Sequence, residues 1–304
     1  MYSLLGILFT FIWATGSIAI KFGLMSAPPI TLATLRLLIA GMMLIIYIYG
    51  IRYRTYRMPM KSEWIHLIVL GILNTTLYIG GTFLALKQVS AGYFNLAVTA
   101  NPFVVSLFSC LLLKQTIKKN VLVGMVIAAL GLLTSTYPVF VHNSATSFGL
   151  IMLTIGMLSM AFGSVYFKRC NLRLPGIVIN TWQILIGSLF LIPFSYFLEK
   201  NIDFKFDAYF YGSLLYLSLI ISILGMILWF FLLKHNPVKA NTWLFLSPVF
   251  GYMLAALFLD EKLTLYDLIG TLFIVLGLFV SGNITLFNKN TLNSFNIRPL
   301  NHRD

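Results

Sequence analysis

Acidic side chains are scarce in this chain. Eight aspartates and glutamates stand against 21 lysines and arginines, and charged residues make up only 10% of 304 positions. An ordinary soluble domain carries about 25% charge, so that class is excluded. The few carboxylates also fall badly for chemistry. Glu63, Asp260, Glu261 and Asp267 map to the ends of apolar runs, and none lies midway along one. No paired acids could seat magnesium, and neither an H-E-x-x-H helix nor a nucleophile with its base is present. Catalysis is therefore not expected, and neither is a cofactor or metal. Cysteine is nearly absent too. Cys110 and Cys170 lack a C-x-x-C spacing, which rules out a disulfide framework and a zinc knuckle.

What is abundant is hydrocarbon: 59% of residues are apolar and the mean hydropathy is +0.92. Crossing about 30 Å of bilayer core takes roughly 20 residues. Ten runs meet that length, at about 3–22, 30–50, 64–86, 91–113, 120–138, 147–168, 176–197, 208–233, 237–259 and 265–286. The connectors are too short for a soluble domain. The first run lacks a basic leader and carries Trp13 and Lys21 where a cleavage site would fall, so it reads as a retained span.

The basic residues are unevenly shared between alternate loops. Fifteen fall on the side of the N-terminus: Arg52, Arg54, Arg57, Lys61, Lys114, Lys118, Lys119, Lys168, Arg169, Arg173, Lys234, Lys239, Lys289, Arg298 and Arg303. Four fall on the other side, Lys87, Lys200, Lys205 and Lys262, while Lys21 and Arg36 belong to spans. The positive-inside rule then puts both termini in the cytoplasm of a bacterial cell, with the chain in the inner membrane. The same count explains the +13 charge without nucleic acid as a partner.

The chain also repeats itself. Residues 95–132 align without gaps on 241–278 at a constant offset of 146, pairing Asn95 with Asn241, Pro102 with Pro248, Gly124 with Gly270 and Gly131 with Gly277. Weaker matches at offset 147 relate spans one and six, through Ala14-Thr15-Gly16-Ser17 and Ala161-Phe162-Gly163-Ser164, and spans three and eight. Each half thus holds five spans. Because five is odd, the second half enters from the opposite face. The expected fold is an all-α polytopic membrane protein of ten helices, in two inverted five-helix repeats around a central cavity. The expected segments are 1–140, 147–286 and a flexible cytoplasmic tail at 287–304.

The ten spans as five plus five, Trp13-Ala14-Thr15-Gly16 with Lys21, Arg36 in span two, the proline run ending in Asp260-Glu261-Lys262-Leu263 and the G-x6-G of spans five and ten together resemble the EamA-type drug/metabolite transporters. The resemblance covers roughly 3–286. It implies movement of small organic metabolites, amino acids being the best-represented class. One departure is that Lys114-Gln115 stands where Asp260-Glu261 stands in the second half.

Polar residues that recur on one face of a membrane helix point at protein or at a water-filled path. Span four presents Asn95, Thr99, Pro102, Ser106 and Ser109, and span nine answers with Asn241, Phe245, Pro248 and Tyr252. Together with Trp13, Ser17, Tyr78, Thr82 and Trp229, the residues Asn95, Thr99, Asn241 and Phe245 are the expected substrate contacts. Such hydroxyls also pack helices or bond to the preceding turn, which is the competing use. Pro102 and Pro248 are expected hinges or gates. Gly124, Gly131, Gly270 and Gly277 are expected at close helix contacts, within a monomer or a homodimer.

With no mid-span carboxylate available, facilitated exchange is favoured over proton coupling. The four histidines, His66, His142, His235 and His302, sit in loops or at span ends, where a solvated role is expected; coupling would otherwise fall to Lys21, an end-positioned carboxylate or a histidine. The cavity's amides, hydroxyls and aromatics favour a modest zwitterion. The alternative substrate is a nucleotide-like or cofactor-like anion held by Lys21 and Arg36.

Overall fold

A computed structural model describes residues 2–114, 119–141, 146–199, 204–235 and 243–280. Ten helices follow one another: α1 (Tyr2–Gly23), α2 (Pro29–Ile51), α3 (Lys61–Leu86), α4 (Ala91–Leu113), α5 (Lys119–Val141), α6 (Ser147–Cys170), α7 (Gly176–Leu198), α8 (Ala208–His235), α9 (Ser247–Leu259) and α10 (Leu265–Val280). The first eight are long and apolar enough to cross a bilayer. Within the described residues α9 and α10 are shorter, with 13 and 16 residues. The expected start of span nine, 237–242, lies outside the described residues, as do 281–286 of span ten.

The outer surface is apolar, and polar side chains are buried in the bundle among the apolar core. Leu133, Phe197, Leu257 and Phe279 are among many large apolar side chains on the outer surface, while Thr10, Thr75, Asn95, Gln183, Ser188 and Ser222 are buried. This is the distribution that lipid demands, because it offers no partners to polar groups and gains nothing from excluding leucine. Most buried hydroxyls satisfy themselves locally. Thr34, Thr99, Thr181 and Ser222 each donate to a carbonyl of the preceding turn.

Three pairs of helices that match in sequence order, α2 with α7, α4 with α9 and α5 with α10, pack antiparallel. On α2 and α7, Ile30 meets Glu199, Gly41 lies against Leu185 and Tyr49 bonds to Trp182. On α5 and α10, Gly124 faces Gly277, Gly131 faces Gly270 and Tyr137 packs on Tyr266. The four glycines therefore meet one another inside the chain. A Cβ on Gly131 would stand 2.6 Å from the Gly270 carbonyl oxygen. On α4 and α9, Gly92 lies against Tyr252 and Asn95 against Gly251. α1 packs on α8, and α3 on α6.

Two local features recur between the halves. α4 and α9 both end on a non-glycine residue in the left-handed region, Lys114 and Asp260, each with φ 53°. Wide π-helical turns interrupt both α3, at Ile72–Leu77, and α8, at Leu217–Gly225. A third interrupts α2 at Ile46–Ile51.

Neither proline bends an unbroken helix. α4 is broken at Thr99–Ala100, and Pro102 sits in the first turn of its second segment, Asn101–Leu113. Pro248 sits likewise in the first turn of α9, after a short 3-10 turn at Leu244–Leu246. There the missing N–H costs nothing, since the first turn's donors have no helical acceptor.

Candidate functional site

Four of the expected contact residues surround one small cavity. Trp13 and Ser17 reach it from α1 and Tyr78 and Thr82 from α3, with Arg36 of α2 beside them. Phe83, Phe94 and Ile221 complete its apolar walls. The lining comes mostly from the first half, and Ile221 of α8 is the contribution of the second among the described residues. The cavity holds about 50 Å3. Ligand pockets run to roughly 300 Å3 and above, so this one must widen to admit a solute.

Arg36 dominates the chemistry. The residue is 5% exposed, its guanidinium carbon lies 4.9 Å from the centre of the Phe83 ring, and its Nε has no hydrogen-bond partner. Among the described residues the single ion pair is Arg57 with Glu63, far from the cavity. The cation is thus held by an aromatic face without a counter-ion. The helix backbone at this point is braced, because Ser218 of α8 donates to the Arg36 carbonyl at 3.1 Å. Thr82 adds a second unsatisfied atom, since its buried Oγ1 has no partner either. Two orphaned polar groups in one apolar chamber are costly, by about 1–3 kcal/mol each, unless something enters to meet them.

The other expected residues go elsewhere. Asn95 is fully used in a knot that joins three helices. Its Nδ2 donates to Ser17 Oγ at 2.7 Å and to the Ala91 carbonyl, and its Oδ1 accepts from Ser247 of α9 at 3.0 Å. Thr99 is buried and donates to the Leu96 carbonyl next to the break in α4. Trp229 stacks on Phe9 at 5.1 Å, and Phe9 in turn packs on Trp13 at 5.6 Å. These three rings form a column leading from the cavity toward the end of the bundle that holds the N-terminus. Asn241 and the side chain of Phe245 lie outside the described residues. Lys21 is absent from the cavity wall.

A larger space of about 350 Å3 opens between α1, α8 and α9. Its walls are almost wholly apolar, and Tyr209 and Phe258 on its rim are exposed, so it belongs to the outer surface. The one polar pairing there, Thr15 Oγ1 with the Tyr216 hydroxyl at 2.6 Å, is already satisfied. Volume and chemistry therefore point to different places, and the orphaned cation makes the smaller cavity the candidate site.

Sequence reasoning missed Phe83 and Phe94, since an aromatic in an apolar span carries no phase of its own. It also missed what happens at one end of the bundle. Glu199, just after α7, accepts from the backbone N–H groups of Ile30 and Thr31 at 2.7 Å each, and from the Thr31 hydroxyl. Glu261, just after α9, accepts from the N–H groups of Ala91 and Gly92 at 2.8 and 3.1 Å. Each carboxylate caps a helix start in the opposite half, where orphan donors and the positive end of the helix dipole favour an anion. Asp207 caps α8 at the same end. The Ser26 hydroxyl, the Phe210 N–H and the nearby Lys205 charge hold its carboxyl below the usual range.

The profile of the EamA-like transporter family matches this chain twice, over 1–137 and 147–283. Curated relatives include the uncharacterized transporter YvbV of Bacillus subtilis, 30% identical over 84% of this chain and 83% of that one. Protein PecM of Dickeya dadantii is 30% identical over 96% and 95%, and an uncharacterized transporter of Archaeoglobus fulgidus 27% over 89% and 93%. A crystal structure shares the fold with a TM-score of 0.64 at 18% identity, covering 97% of this chain and 99% of its own. The chain belongs to the EamA-like transporter family: it is a multi-pass membrane transporter and not an enzyme.

Proposed function

We propose that this transporter carries a small carboxylate-bearing metabolite, an amino acid or related zwitterion, across the bacterial cell membrane by alternating access. The observation that carries the reading is Arg36, buried in the cavity with a free Nε and no counter-ion. A substrate carboxylate meets the guanidinium and the Thr82 hydroxyl, while Trp13, Tyr78 and Phe94 receive an apolar side chain or, through their ring faces, an ammonium. Lys21 is absent from the cavity lining, which leaves Arg36 as its single cation among the described residues and favours one negative charge over the two or more of a nucleotide-like anion.

Two inverted five-helix repeats supply the alternation in this reading, supported by the antiparallel packing of α2 with α7, α4 with α9 and α5 with α10. The excess of basic residues on the N-terminal side supports cytoplasmic termini. No carboxylate lines the cavity among the described residues, which favours efflux or facilitated exchange over proton coupling.

Counterflow of labelled amino acids in vesicles, run with and without a pH gradient, tests the proposal. Charge-assisted hydrogen bonds of about 1.5–3 kcal/mol predict that Arg36→Met loses roughly 10- to 100-fold in apparent affinity, with Arg36→Lys intermediate. Undiminished counterflow in Arg36→Met would refute carboxylate recognition, and strict dependence on the gradient would refute facilitation. A solute-accumulation profile of cells overproducing the protein names the solute.

A further inference from the structure

We infer that Glu261 is the releasable pin of a gate formed by the first half of α4, whereas Glu199, in the same chemical setting, is a fixed strut. The inference rests on the alternating access proposed above.

The two carboxylates differ in what surrounds their seams. α2 and α7 are fastened along their whole length: Glu199 at one end, Gly41 against Leu185 in the middle, and Trp182 bonded to Tyr49 at 3.0 Å at the other. A seam tied at both ends does not open by releasing one tie. α4 is different. Its first segment, Ala91–Val98, is buried at every position and packs chiefly on α9. Its second segment, Asn101–Leu113, packs chiefly on α6 and is buried only at Asn101 and Phe103. Among the described residues, then, it is the first segment, at the Glu261 end, that holds the contacts with α9. The change of partner falls at the break, Thr99–Ala100.

The consequence for the cavity is direct. Phe94 is part of the cavity wall and sits one turn into the segment that Glu261 holds. With the pin in place, this end is closed over Arg36. A carboxylate released from two N–H groups frees the segment to hinge at Thr99–Ala100 and carry Phe94 out of the cavity roof. The remaining side-chain ties of the segment, Asn95 with Ser17 and Ser247 and the Tyr93 hydroxyl with Thr136, are all neutral pairs, weaker than a charge-assisted one. Ser90 caps the segment from within through the Tyr93 N–H, so it can move as a folded unit.

The test needs no solute, so its failure is distinguishable from that of the carboxylate assignment. In a background of Cys110→Ser and Cys170→Ser, a reporter Ile79→Cys in the cavity wall is labelled with a membrane-impermeant maleimide from each face of oriented vesicles. Glu261→Gln is expected to raise labelling from the α3–α4 face about tenfold, the equilibrium shift that roughly 1.4 kcal/mol of lost charge-assisted bonding brings. Glu261→Asp, too short to reach both amides, is expected to fall between. Glu199→Gln is expected to stay within about twofold of the parent while lowering thermal stability. Should Glu261→Gln insert poorly, spin labels at Gln88→Cys and Lys262→Cys report the same opening in Glu261→Asp as a longer, broader distance distribution. Parental labelling in an inserted Glu261→Gln protein, an unshifted distance in Glu261→Asp, or equal opening in Glu199→Gln overturns the inference.

Discussion

Replacing Gly131 with alanine isolates the α5–α10 seam. The added methyl would stand 2.6 Å from the Gly270 carbonyl oxygen, 2.8 Å from Phe273 Cβ and 3.0 Å from the Ile274 nitrogen. Two of these are backbone atoms of the partner helix, so no rotamer change relieves the overlap and the helices must separate. Overpacking of this kind costs roughly 1–3 kcal/mol, and rigid neighbours put the case at the upper end. Alanine returns up to about 1 kcal/mol through better helix propensity, leaving a net loss of about 1–2 kcal/mol. Gly212 in α8 is the control, because a methyl there meets nothing within 4 Å. Thermal unfolding in detergent, followed by size-exclusion fluorescence, should show Gly131→Ala melting several degrees below the parent and Gly212→Ala at or above it. Equal melting of parent and Gly131→Ala, or an equal drop in Gly212→Ala, would refute the claim that this seam is closed by backbone contact.

Two further outcomes follow from polar contacts. Asn95→Leu leaves the Ser247 hydroxyl without its acceptor and Ser17 without a donor, so it should lower the melting point by the equivalent of about 1–3 kcal/mol without preventing membrane insertion. Retention of parental stability would show that the knot is dispensable. Asp207 supplies a pH dependence: its carboxyl is held below the unfolded value, so its stabilisation is complete above the normal carboxylate range and fades as pH falls through the depressed folded value. The melting gap between parent and Asp207→Asn should be widest near neutral pH and close below about pH 4; a constant gap would remove the charge from the account.

The helices were legible because lipid imposes a length and a composition, and the repeat because proline, glycine and asparagine keep their register. Tyr78, Thr82, Trp13 and Ser17 could be picked as a group because polar or amphipathic residues in a span need a destination. Asn95 shows the limit of that logic, since an amide can satisfy itself between helices as well as in a cavity. Pairing was harder still. Alignment places Gly124 with Gly270, yet in space Gly124 meets Gly277, because α5 and α10 pack antiparallel. The carboxylate caps were invisible for the same reason: Glu261 and Ala91 are 170 positions apart, and a backbone N–H leaves no mark in a sequence.

The wide turns of α3 and α8 bear on history. A π turn arises when one residue is inserted into an α-helix and tolerated because the extra peptide finds another partner. Ile72–Leu77, shifted by the offset of 147 that relates these helices, falls within Leu217–Gly225. One insertion, inherited by both copies, is a simpler account than two at matching places. The shared place of the two wide turns is thus one more likeness between the two segments that the family profile matches, present although the side chains around it differ.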